Sequence, residues 1–101
     1  MGGYLKEHSR PPAFEGLDAQ PYTVSMEVEQ TGNLRTPYRG FLVFPRWAET
    51  GLGIVGHVET EMLADGRSPE DIESRLGALT LDEVKRHLDE AIQRNRDVGD
   101  S

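Results

Sequence analysis

The chain predicts an α+β domain: an antiparallel β-hairpin or three-stranded meander, followed by two or three C-terminal helices. Three observations carry that expectation. All seven aromatic residues (Tyr4, Phe14, Tyr22, Tyr38, Phe41, Phe44 and Trp47) lie in the first half, where they suit a pleated, half-buried surface. From Tyr22 the apolar residues recur with a period of two, the mark of a strand. From Ser68 onward, two helix-start signals precede apolar residues at helical spacing. Strands first and helices after imply layers of segregated elements rather than alternating βαβ units.

Residues 1–20 show no period and contain Pro11-Pro12, which favours extended backbone, so a flexible N-terminal arm is expected there. A single domain is expected over residues 21–95. Its first strand alternates Tyr22, Val24, Met26 and Val28 with Thr23, Ser25, Glu27 and Glu29. Thr31-Gly32-Asn33 supplies turn chemistry, and the connection to Tyr38 is longer than a tight hairpin loop. The second strand runs from Tyr38 to about Arg46 and is apolar on both faces over Phe41 to Phe44, as befits a strand that is central or covered on both sides. Pro45, having no N–H to donate, is expected at its end.

Residues 48–53 form a turn. The next stretch, 54–64, fits either a strand or a helix; Ile54, Val55, Val58 and Thr60 together with Gly53 and Gly56 favour a third strand. Ser68 then serves as a helix cap, with Pro69 in the first helical position, Glu70 and Asp71 near the positive end of the helix dipole, and Gly77 at the close. Thr80-Leu81-Asp82-Glu83 is a capping box, and Leu81, Val84, Leu88, Ala91 and Ile92 make one apolar stripe. The helix is expected to fray near Asn95, leaving 96–101 as a flexible tail.

Composition removes several function classes. With no cysteine there are no disulfides, thiolate nucleophiles or zinc ribbons, and a cytoplasmic location is the default. No apolar run approaches the ~20 residues of a membrane span. No glycine-rich phosphate cradle or nucleophile elbow occurs, so no cofactor is expected and neither is a catalytic site. On a strand, His57, Glu59 and Glu61 share a face, a row with the chemistry to bind a divalent metal or transfer protons. A solvated strand face explains the same row without a ligand, because nothing else in the sequence completes a coordination set.

Arg39, Phe41, Arg46 and Trp47 form the candidate partner-binding cluster, since Trp and Arg dominate binding hot spots. Trp47 is equally suited to plugging the end of a small core. A strand that is apolar on both sides, with helices to cover one of them, leaves the other for a partner or a second copy, and a homodimer is expected. Charge is divided unequally. Residues 1–56 hold six acids and five bases, whereas 57–101 hold twelve acids and six bases, so most of the net charge of -7 falls in the helical half.

The stretch Val58-x3-Met62-Leu63-x-Asp65-Gly66-x-Ser68-Pro69-Glu70-Asp71-Ile72, followed by Leu79-Thr80-Leu81-x2-Val84-x3-Leu88 and Ala91-Ile92, resembles a family of short bacterial domains of unknown function grouped with VapB-type antitoxins. The resemblance implies a helix-turn-helix core, a helix over Val58 to Ala64, and a DNA-binding antitoxin or repressor of bacterial or phage origin. Charge opposes contact with nucleic acid, because phosphate tracking needs Lys and Arg free of neighbouring acids. The leading expectation is therefore a non-enzymatic interaction or regulatory domain, dimeric and binding a protein partner of basic character. A helix-turn-helix DNA binder and a small metal-dependent enzyme using His57, Glu59 and Glu61 are the alternatives.

Overall fold

The computed structural model describes residues 13–99, in the order β1 (Phe14–Glu15), β2 (Pro21–Tyr22), β3 (Ser25–Gln30), β4 (Tyr38–Trp47), β5 (Ile54–Glu59), β6 (Ala64–Gly66), α1 (Pro69–Gly77) and α2 (Leu81–Gly99). All pairing is antiparallel. β4 lies at the centre. Along one edge it pairs with β3 and β2 in a single register, from Tyr38 opposite Gln30 to Arg46 opposite Tyr22. Along the other it pairs with β5 and β6, so that Val43 faces both Ser25 and Glu59. The sheet is thus the expected three-stranded meander with its outer strands broken, and β1 is added beside β2. Two helices follow, and the segment 54–64 is strand at both ends. The helix over Val58 to Ala64 implied by the antitoxin resemblance is not formed.

Both breaks in the outer strands have a chemical cause. Pro45 sits inside β4 rather than at its end, and its carbonyl accepts from the Thr23 N–H at 3.1 Å. The donor that proline lacks falls on the same edge, and there the outer strand is interrupted between β2 and β3. On the opposite edge the ladder breaks between β5 and β6. Thr60 bridges the gap: its N–H donates to the Leu42 carbonyl at 2.9 Å, and its Oγ1 accepts the Leu42 N–H at 3.0 Å. A side chain replaces a backbone acceptor, and Thr60 is accordingly the one buried polar residue of the described chain.

Alternation along β4 divides its side chains between two faces. Leu42 and Phe44 face the helices and are 0 % exposed, as are Ile72, Val84 and Leu88 opposite them. Tyr22, Val24, Val58, Leu76, Ala91 and Ile92 complete the core. Helix α1 lies over β3, β4 and β6, and α2 lies over β5. Gly40 permits the first of these contacts, because a methyl group on it would run into Cγ2 of Ile72 and approach Cδ1 of Leu76 to 3.1 Å.

The helix starts follow the sequence. Ser68 Oγ accepts from the Asp71 N–H at 3.1 Å, and Thr80 exchanges bonds with Glu83, whose Oε1 accepts the Thr80 N–H at 3.1 Å. Those bonds hold the Glu83 carboxyl below its ordinary pKa. Leu81 departs from the expected stripe: at the first turn it overhangs the core edge and is 38 % exposed. The chain is also ordered beyond the expected domain limits of 21 and 95. Phe14 packs against the core, and the Leu17 N–H donates to Asp89 Oδ1 of α2 at 3.0 Å, so 14–20 belongs to the fold rather than to an arm. Residues 96–99 continue α2. The rest of the expected arm and tail, 1–12 and 100–101, lies outside the described residues.

Two substitutions test this packing. Gly40→Ala overpacks the β4–α1 contact and is expected to destabilise the domain by about 1–3 kcal/mol in a urea titration. Thr60→Val keeps the shape but leaves the Leu42 N–H without its acceptor, at an expected cost of about 1–3 kcal/mol. An unchanged unfolding midpoint in either variant would contradict the assignment.

Candidate functional site

The helices cover one face of the sheet and leave the other open. On the open face, alternation along β4 aligns Arg39, Phe41, Val43, Pro45 and Trp47. Neither Phe41 nor Trp47 belongs to the core, so Trp47 does not plug its end. The indole Nε1–H donates to Thr23 Oγ1 at 3.0 Å, which ties the ring down on the open face with its polar atom satisfied. The four residues Phe41, Val43, Pro45 and Trp47 form a half-buried apolar stripe.

Acidic side chains border the stripe on both sides. Register places Glu27 beside Phe41 and Glu29 beside Arg39 on β3; across β4, Glu59 lies beside Val43 and Asp65 beside Arg39. The one cation in the row is bound to its neighbour, with Arg39 Nη2 and Glu29 Oε1 at 2.7 Å. Past Trp47, exposed Ile54 and Val55 extend the apolar surface; the register shift opposite Arg46 and Trp47 makes Val55 an extra, bulged residue of β5.

Of the four residues expected to bind a partner, Arg39, Phe41 and Trp47 share this face and Arg46 does not. One residue along a strand means the opposite side of the sheet, so Arg46 points toward the helices although it adjoins Trp47 in sequence. The polar row also divides. His57 and Glu59 stay together on β5, with Nε2 and Oε2 at 3.8 Å. Glu61 falls in the break after β5 and lines a cavity of about 100 Å³ with His87, Glu90 and Arg94 of α2. Among the described residues no group of three or more His, Asp or Glu gathers to hold a metal ion.

At the β5 edge of the sheet, β5 and the end of α2 bound a cleft of about 420 Å³ lined by His57, Glu59, Arg94 and Asn95, with the Arg94 Nη2 donating to the Glu59 carbonyl at 3.2 Å. It adjoins a second hollow of about 220 Å³ that Arg46, Arg96, Tyr22 and Asp18 line. Sequence reasoning did not join these residues, because they come from four separate elements with no common spacing. Tyr22 shows how close they are. Its hydroxyl donates to Asp18 Oδ2 at 2.8 Å, and burial together with this bond pushes its pKa up to about 12, against a smaller opposing pull from Arg46 and Arg96.

A pH dependence follows. A tyrosine in the unfolded chain loses its proton near pH 10.0, whereas Tyr22 in the folded chain keeps it to about 12. Stability is therefore expected to fall as pH rises through that interval, because the unfolded state binds fewer protons there. Phenolate absorbance should show one tyrosine titrating late, and Tyr22→Phe should remove that step; its persistence in the variant would assign it elsewhere.

No helix among the described residues is long and apolar enough to cross a membrane. No protein-family model matches the chain, and no curated protein or solved structure matches it either.

Proposed function

We propose that the chain is a non-enzymatic interaction domain of the cytoplasm that binds a basic, apolar-anchored segment of another protein on the open face of its sheet. The observation that carries this reading is the half-buried stripe Phe41, Val43, Pro45 and Trp47 bordered by Glu27, Glu29, Glu59 and Asp65. An anchor that fills the stripe gains from burial, and Lys or Arg beside it meets carboxylates on either flank. A second copy of the chain on the same face would set these acids against one another, so the homodimer is the weaker of the two partner readings. The helix-turn-helix reading gains nothing from the surface of the helices. There Arg75, Lys85 and Arg86 are each ion-paired within their own helix, with Asp71, Asp89 and Glu90, which leaves only Arg94 and Arg96 of α2 without an ion pair among the described residues.

Trp47 is the chain's single tryptophan, so its fluorescence reports on this face directly. Titration with an extended peptide of alternating Val and Lys is expected to shift the emission to the blue, the more so at low salt. Phe41→Ser should weaken that binding by about tenfold or more while leaving the fold intact, as loss of a central anchor does. Glu27→Lys combined with Glu59→Lys should abolish the preference over a Val and Glu peptide. Equal response to both peptides, or none to either, would overturn the proposal. So would a concentration-dependent dimer in sedimentation that Trp47→Ala abolishes, which would give the face to a second copy.

A further inference from the structure

We propose a second site, at the β5 edge of the sheet: the two adjoining hollows between β5 and the end of α2 bind a small phosphate-bearing ligand through Arg46, Arg96 and Arg94. Cations without an ion pair among the described residues gather here. Nine Lys and Arg residues lie in the described chain, and Arg39, Arg75, Lys85 and Arg86 are ion-paired. Of the five others, Arg46 and Arg96 line the smaller hollow and Arg94 the larger one beside it, in a molecule whose net charge is -7. Neither Arg46 nor Arg96 has an ion-pair partner among the described residues. Neighbouring cations repel one another, and an oxyanion between them relieves that repulsion while offering acceptors to their planar forks.

The backbone prepares the place. At Gly56 the absence of a side chain lets the Arg46 guanidinium lie along β5, its Nη2 3.3 Å from where a Cβ would stand. Two carboxylates stand at the margin of the hollows. Asp18 Oδ1 accepts from the Gln20 N–H at 3.1 Å and its Oδ2 from Tyr22, while Glu59 lies 3.8 Å from His57. Asn95 lines both hollows and supplies an amide donor at their junction. The two hollows, about 420 and 220 Å³, have room for a phosphate and a small body attached to it.

Titration with inorganic phosphate at constant ionic strength, followed by amide NMR, tests the site. The expected result is saturable shifts at Gly56, Asn95 and Arg96 with a dissociation constant of about millimolar. Arg46→Gln and Arg96→Gln should each weaken binding by about tenfold, with Arg46→Lys between wild type and Arg46→Gln. Arg75→Gln, whose arginine is paired elsewhere, should leave it unchanged. Arg96 lies exposed on the last turns of α2, so its substitution keeps the test valid even where a change at Arg46 disturbs packing. Shifts that rise linearly, that chloride reproduces, or that survive both glutamine variants would overturn the proposal. So would tighter binding of acetate than of phosphate, which would assign the cleft to a carboxylate, or salt-sensitive binding of duplex DNA lost with the same arginines, which would assign it to nucleic acid.

Discussion

The ladder on both edges of β4 is the constraint on which the remaining structure depends. Every strand except β1 pairs with β4, so its ten residues decide the register of the whole sheet. Because side chains alternate along a strand, this one backbone also decides which residues form the core and which form the open face. Leu42 and Phe44 are committed to the helices, and Phe41, Val43 and Trp47 are thereby committed to the other side. A slip by one residue would exchange the two sets and bring Arg39 and Pro45 under the helices. The ladder is held in place against that slip by Gly40, which alone fits beneath Ile72.

Such a strand must also accommodate residues that interrupt pairing. Proline inside a central strand removes a donor, and the structure loses pairing between β2 and β3 on that edge only. On the other edge Thr60 bends away from the ladder and restores one bond with its hydroxyl. These two local irregularities shape the functional surfaces. The first frees Thr23 to fix the indole of Trp47, and the second turns Glu61 out of line with His57 and Glu59 and toward α2.

The fold class, the strand that is apolar on both faces, and both helix starts were legible in the sequence because each rests on near-neighbour chemistry. Alternation from Tyr22, the Ser68-Pro69 start and the Thr80 to Glu83 box need no knowledge of the remaining chain. Tertiary partners decide what was not legible. Phe14 and Leu17 lack any local period, and their order comes from the core and from Asp89, 72 residues away for Leu17. Arg46 and Trp47 looked like one cluster because adjacency in sequence was taken for adjacency in space, which a strand forbids. The converse holds for Arg46 and Arg96, which lie 50 positions apart and act on the same tyrosine.

The net charge of -7 then acquires a structural meaning that a total cannot convey. On the helices, three bases are matched at i and i+4 with Asp71, Asp89 and Glu90, pairs that contribute little to stability, and the further acids Glu70, Glu73, Asp82 and Glu83 leave that surface negative. On the open face the acids flank an apolar stripe, with Arg39 the lone cation among them. Between β5 and the end of α2, Arg46, Arg94 and Arg96 line two adjoining hollows beside Asp18 and Glu59. A domain this small has little surface to spare, and its sheet stands between the acids flanking Phe41 and the guanidinium of Arg46. Separation of that kind resists self-neutralisation, because no rearrangement of side chains carries Arg46 through the sheet to Glu27. On the readings proposed above, the open face would take a cation beside an apolar anchor and the cleft an anion.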